Sequence, residues 1–129
     1  MAVLDENALA QAMPAWDEVS LKWEELQHLP SSWQAARSQW RGIYYIFDAS
    51  DGKGYVGSAY GKENIMARWR NYRDTGHGGN RLLRRRDPAA FVFTILGRVS
   101  PDIQASEVAQ LEASWKERLH TRTHGLNDN

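Results

Sequence analysis

Apolar residues at the start of the chain recur every three or four positions, the period of an amphipathic helix. The first such stripe consists of Trp16, Val19, Trp23 and Leu26. Pro30 should end that helix, and Ser31 or Ser32 can cap a second, short helix. The apolar residues of the second helix are Trp33, Ala36 and Trp40.

Residues 1–40 are therefore expected to form an acidic, Trp-rich helical extension. Its tryptophans suit packing against a core. The alternative is that they form a surface for a protein partner or for self-association.

From residue 42 the pattern changes to that of strands. Residues 42–47 are β-branched and aromatic, 48–54 are turn-forming, and 55–58 resemble a returning strand. A third strand is predicted at 91–96. Together these segments predict a small α+β domain with a three-stranded, largely antiparallel sheet.

Helices should separate and follow these strands. One is predicted at 62–74, a short basic helix at 80–86 before Asp87-Pro88, and a long helix at 103–119. The first should face inward with Ile65, Met66, Trp69 and Tyr72, and the last should group Val108, Leu111, Trp115 and Leu119 on one side.

The length of 129 residues suits one compact domain, which we place at 41–129. No apolar run is long enough to span a membrane. The first residues do not resemble a secretory signal, and cysteine is absent. Both features favour a cytoplasmic protein without disulfides.

The net charge of zero conceals a partition along the chain. Residues 1–40 carry a net charge of −4, residues 41–99 carry +6 and residues 100–129 carry −2. A basic central segment is typical of an anion-binding face, although the clustering could arise by chance on a solvated surface.

Two tyrosines flanked by glycine lie on the predicted hairpin, in Gly42-Ile43-Tyr44 and Tyr55-Val56-Gly57. Pairing of the strands would bring their phenols near each other, and the glycines would let a ligand approach the backbone. Further along lie Arg68, directly before Trp69, then Glu112 in the last helix and Asn127 near the end.

These five elements, in this order and at these intervals, resemble the GIY-YIG nuclease family. The sequence segments YVGSA, RW, ExxW and GLN are similar to those in catalytic domains of phage-intron homing endonucleases. The resemblance covers about residues 41–128. It marks Tyr72 as well, at a position that is Tyr or His in the family. Ser58 replaces a lysine of the excision-repair branch.

The resemblance implies a metal-dependent DNA endonuclease that hydrolyses phosphodiester bonds, leaving 5′-phosphate and 3′-hydroxyl ends. Glu112 would anchor one Mg²⁺ or Mn²⁺ ion, and Arg68 would bind the nonbridging phosphate oxygens. Tyr44 would be the general base, favoured as a phenolate by Arg68 and the metal. The roles of Tyr44 and Tyr55 could be exchanged.

The remaining roles are auxiliary. Tyr55 and Tyr72 would position groups or relay protons, and Asn127 would orient the metal carboxylate. Each residue also has a structural interpretation: strand aromatics for the tyrosines, a helix charge for Glu112 and a turn residue for Asn127. Glu112, however, should lie at the edge of a buried stripe, where a carboxylate needs a partner or a metal.

A basic run should follow the DNA backbone, unless it is merely a solvated face. Its members are Arg70, Arg73, Arg81, Arg84 and Arg85, with His77 and Asn80 as further phosphate contacts. His120 and His124 have zinc-ligand spacing, but a favourable helix C-terminus explains them better. The alternative to an endonuclease is a noncatalytic nucleic-acid-binding or protein-interaction module on the same fold.

Overall fold

The computed structural model describes residues 15–29, 33 and 39–128. In these residues the strands are β1 (Ser20–Lys22), β2 (Gly42–Asp48), β3 (Lys53–Ala59) and β4 (Phe91–Arg98). The α-helices are α1 (Trp23–Gln27), α2 (Ile65–Thr75), α3 (Ala105–Arg118) and α4 (Thr121–His124). Short 3-10 turns occupy Trp16–Glu18, Arg81–Leu83 and Pro88–Ala90.

The strands form one antiparallel sheet in the order β1-β4-β2-β3. The α+β class is confirmed, but the expected three-stranded sheet is wrong, because β1 adds a fourth strand beside β4. Only Leu21 of its three residues points into the core. A strand this short leaves too little alternation to be read from the sequence.

The helical prediction for the first stripe is also wrong in part. Trp16 lies in a 3-10 turn, Val19 lies between elements, and only Trp23 and Leu26 belong to α1. All four nevertheless pack on the core, because a turn, a strand and a short helix turn the same residues inward.

Most of the predicted second helix lies outside the described residues, which omit 30–32 and 34–38. Trp33 and Trp40 are both buried, with ring centroids 6.4 Å apart in an edge-to-face arrangement. This geometry is the one expected for core packing.

Each face of the sheet has its own core. The larger core contains Tyr44, Ile46 and Phe93 with the inner side of α2. The smaller core contains Ile43 and Val56 with Val108 of α3. Because side chains alternate along a strand, β2 and β3 supply both cores.

Helix α2 has the inward face predicted for it: Ile65, Met66, Trp69 and Tyr72 are all buried. Asn64 caps its first turn by accepting a hydrogen bond from Ala67 N at 2.9 Å, and Gly76, with φ of 82°, ends it. The prediction for α3 fails at Leu111, which is 41% exposed.

The predicted basic helix at 80–86 is a 3-10 turn, Arg81–Leu83, continued by hydrogen bonds between residues three apart. Its last arginine, Arg86, folds back onto the hairpin, where Nη1 lies 2.8 Å from Oδ2 of both Asp48 and Asp51. Among the described residues, no helix combines the length and hydrophobicity needed to cross a membrane.

Candidate active site

The β2–β3 hairpin places Tyr44 and Tyr55 on the same face of the sheet. Tyr44 pairs with Gly57, and Tyr55 pairs with Ile46, so the two tyrosines are diagonal neighbours. The Tyr44 ring covers Gly57: a Cβ atom at position 57 would lie 2.5 Å from Tyr44 Cζ and Oη. The space at Gly57 therefore accommodates the tyrosine, and the expectation of ligand approach at this glycine is wrong.

A hydrogen-bonded chain joins four side chains from β2, α2, the following loop and β3. Tyr44 Oη and Tyr72 Oη are 2.9 Å apart. Asn80 Nδ2 donates to Tyr72 Oη at 2.5 Å, and Tyr55 Oη donates to Asn80 Oδ1 at 2.9 Å. The phenols of Tyr44 and Tyr55 are thus connected through Tyr72 and Asn80 rather than directly.

Gly78 is needed for this chain, because a side chain there would collide with the Tyr72 ring, whose Cε1 would lie 2.6 Å from a Cβ atom. Gly78 also has a φ of 57°, in the region that favours glycine. The loop His77-Gly78-Gly79-Asn80 therefore folds closely over Tyr72 and delivers the Asn80 amide to the tyrosines.

Arg68 lies one turn before Tyr72 on α2, and its guanidinium carbon is 5.8 Å from the centre of the Tyr72 ring. Its Nε atom is buried and makes no hydrogen bond within the described residues, although Glu63 Oε1 lies 3.6 Å away. A buried donor without a close acceptor is suited to receiving an anion.

Burial raises the pKa of Tyr44, which is completely buried, above that of a free tyrosine. Arg68 and the hydrogen bond from Tyr72 lower it but do not compensate. Burial also raises the pKa of Tyr55 and of Tyr72, and the neighbouring Tyr44 adds to both effects, whereas Tyr72 lowers the pKa of Tyr55. Burial thus favours the protonated form of all three phenols, and Arg68 opposes this effect at Tyr44.

Glu112 lies on α3, facing the edge strand β3, and its carboxylate is engaged at both oxygens. Ser58 Oγ donates to Oε1 at 2.7 Å, and Lys116 Nζ lies 2.9 Å from Oε2. The side chain is 24% exposed. Burial is the largest cause of the raised pKa of Tyr44 and of Tyr55, and the negative charge of Glu112 adds to it at both residues.

Asn127 has both ends of its buried amide on the backbone of one residue. Oδ1 accepts from Val56 N at 2.9 Å, and Nδ2 donates to Val56 O at 3.0 Å. These bonds fasten the C-terminal turn to β3. Asn127 thus positions the strand that carries Tyr55-Val56-Gly57, and its amide is hydrogen-bonded there rather than to Glu112.

The predicted DNA-contacting residues occupy different environments. Arg70, Arg84 and Arg85 are exposed. Arg73 is paired with Asp74 at 3.2 Å, and Arg81 with Asp128 at 2.8 Å. His77 Nδ1 accepts from Gly79 N, and Asn80 belongs to the tyrosine chain.

Sequence reasoning missed the roles of three residues. Lys116 was detectable, because it stands four residues after Glu112 on one helix. Ser58 was noticed as a departure from a family lysine but not as the partner of Glu112. Asn80 was expected to contact phosphate; its place between Tyr55 and Tyr72 could not be predicted, since it lies 25 residues from Tyr55 and eight from Tyr72 in the chain.

Neither protein-family models nor curated proteins match this chain by sequence. Its fold is similar to that of the catalytic domain of the homing endonuclease I-TevI, with a TM-score of 0.58 and 25% sequence identity. The match covers 69% of this chain and 98% of that domain.

A mutant form of the I-TevI catalytic domain gives a TM-score of 0.58 at 22% identity, over 70% of this chain and 95% of the other. The two matches span nearly the whole of that catalytic domain and about two thirds of this chain. The fold, the GIY and YVG hairpin and these neighbours agree: the chain contains a GIY-YIG-like nuclease domain.

Proposed function

We propose that this protein is a metal-dependent endonuclease that hydrolyses phosphodiester bonds in DNA. The observation that carries the proposal is the connected chain of Tyr44, Tyr72, Asn80 and Tyr55 with Arg68 beside it. The similarity to a homing-endonuclease catalytic domain supports the same reaction.

The direction of the hydrogen bonds favours Tyr44 as the general base. Because Asn80 donates to the Tyr72 hydroxyl, the Tyr72 proton is free to point at Tyr44. A donor aimed at the Tyr44 oxygen stabilises its phenolate, and the charge of Arg68 does the same. Tyr55 instead donates its hydroxyl hydrogen bond to Asn80, which suits a positioning role.

Arg68 is the proposed ligand of the scissile phosphate. Its guanidinium is permanently charged and offers a planar fork to two phosphate oxygens. Binding a phosphate there would supply an acceptor for the Nε donor that has no hydrogen-bond partner among the described residues. The same contact would stabilise the extra negative charge of the pentavalent transition state.

Glu112 is the proposed holder of one Mg²⁺ or Mn²⁺ ion. The described residues contain no cluster of three acidic or histidine side chains, so a metal would depend on few protein ligands. Mg²⁺ tolerates this, because it keeps most of its waters and shares phosphate oxygens. A bound metal would neutralise charge on the phosphate and on the departing 3′-oxygen.

The DNA backbone would cross the exposed arginines. Arg70, Arg84 and Arg85 are available for phosphates, and the pairs at Arg73 and Arg81 are solvent-exposed and readily exchanged for phosphate. Arg86 is excluded from this surface, since it bridges two aspartates of the hairpin.

The test is cleavage of supercoiled plasmid and of single-stranded, duplex, flap and branched oligonucleotides, with Mg²⁺, with Mn²⁺ and with chelator. Wild type should cleave at least one substrate only with metal, leaving 5′-phosphate ends. Glu112→Gln should lose at least about 100-fold in rate, whereas Glu107→Gln, an exposed position on the same helix, should not. DNA binding without cleavage by any metal would instead identify a noncatalytic module.

A further inference from the structure

Lys116 is a buried cation in direct contact with the carboxylate that the proposed function assigns to the metal. The residue is 4% exposed, and its ammonium lies 2.9 Å from Glu112 Oε2, one helical turn away. The other oxygen, Oε1, is held by Ser58 at 2.7 Å. Glu112 is therefore fixed in place and already has a cation beside it.

This arrangement weakens the attraction of Glu112 for a divalent metal. A carboxylate paired with an ammonium is neutral overall, so it attracts a cation much less than a lone carboxylate does. At such short range the ammonium also repels the metal directly. A metal can bind Glu112 fully only if the Lys116 ammonium moves away from it.

Beside the pair is space into which the ammonium could move. Lys116 also lines a cavity of about 250 Å³, together with Glu117, His120, Arg122 and Thr123. The long aliphatic stem lets the ammonium change position by a change of rotamer. Glu117, an exposed carboxylate at the rim of this cavity, could receive the displaced charge.

We propose that Lys116 competes with the metal for Glu112, and that the site binds a divalent metal strongly only when a DNA phosphate is present. The phosphate supplies the negative charge that the neutral Glu112–Lys116 pair lacks, and it offers Lys116 a new partner. This inference rests on the proposed function, because it takes Glu112 as the metal ligand. Lys116 is on this view a positioning residue that sets the order of binding.

The experiment measures Mn²⁺ affinity by electron paramagnetic resonance of the free ion, without DNA. Lys116→Met keeps the length of the stem and removes the charge, and Lys62→Met removes a charge from an exposed position as the control. Lys116→Met should bind Mn²⁺ at least about tenfold more tightly than wild type. Lys62→Met should match wild type, and adding Glu112→Gln to Lys116→Met should abolish the gain.

A duplex whose phosphates are replaced throughout by charged, noncleavable methylenephosphonates provides the second arm. It should tighten Mn²⁺ binding more in wild type than in Lys116→Met, where Glu112 is already free. If Lys116→Met fails to fold, as judged by thermal melting, Lys116→Gln carries the same expectation.

A folded Lys116 variant whose Mn²⁺ affinity equals or falls below that of wild type would overturn the inference, even if wild type cleaves DNA with metal. The proposed function fails separately, if wild type cleaves no DNA with any metal. Tighter binding that survives Glu112→Gln would place the metal elsewhere and would also overturn the inference.

Discussion

Replacing Gly57 with alanine should disturb the active site by pushing on Tyr44. The new Cβ atom would lie 2.5 Å from both Cζ and Oη of the buried ring, well inside van der Waals contact. Overpacking of this kind costs about 1–3 kcal/mol. Movement of the ring would also break the hydrogen bond to Tyr72, which adds about 1 kcal/mol. We expect the free energy of unfolding to fall by about 2–4 kcal/mol.

Gly97→Ala is the matched control, since Gly97 also lies in a strand and, among the described residues other than its two chain neighbours, no atom lies within 4 Å of an added Cβ. It should change stability by no more than about 0.5 kcal/mol. The assay is denaturant unfolding followed by tryptophan fluorescence, with six tryptophans as reporters.

A double-mutant cycle assigns the cost to the ring. In a Tyr44→Leu background the colliding atoms are gone, so Gly57→Ala should cost at least about 1 kcal/mol less than in wild type. If Gly57→Ala is as mild as Gly97→Ala, or equally costly without the tyrosine, the proposed collision with Tyr44 is wrong.

Three further predictions concern the supports of the site. Tyr72→Phe removes a hydrogen-bond donor that lowers the pKa of Tyr44. The rising limb of the pH–rate profile for DNA cleavage should therefore move to higher pH. A shift to lower pH would contradict the donor role. Burial alone would raise the pKa of Asp48, but hydrogen bonds from Ser50 and Arg86 leave it below the usual value. Arg86→Met should therefore lower the free energy of unfolding by about 3 kcal/mol at pH 7. This difference from wild type should shrink as pH falls through the low pKa of Asp48. A pH-independent difference in urea unfolding would refute this. Asn127→Ala leaves two buried backbone groups of β3 unpaired and should lower unfolding stability by about 2–4 kcal/mol, whereas a loss of cleavage without loss of stability would indicate a direct role.

The predictable parts of this fold are the long, strongly patterned ones. The hairpin and α2 carry clear periodicity, and the four inward residues of α2 are all buried as predicted. The prediction of one helix across strand β1 and helix α1 is wrong, because three and five residues contain less than two full periods. Their type is decided by pairing with β4, which is distant in sequence.

The candidate site shows the same limit. The identities of Tyr44, Arg68 and Glu112 could be proposed from motif order. Their partners depended on tertiary contacts: Asn80 reaches the tyrosines only because the loop after α2 folds over Tyr72. The complete burial of Tyr44, which raises the pKa of its phenol, was likewise not visible in the sequence.

The central proposal, that the Tyr44 chain is the catalytic centre of a DNA endonuclease, is tested most directly by one rate comparison. Single-turnover DNA cleavage with saturating Mg²⁺ should be measured for wild type, Tyr44→Phe and Tyr45→Phe. Tyr45 is the next residue on β2 and points to the opposite face, so its variant removes the same hydroxyl without altering the Tyr44 chain. Tyr44→Phe should lose about 100-fold or more in rate, and Tyr45→Phe should stay within a few-fold of wild type. Equal rates for the two variants would contradict the proposal.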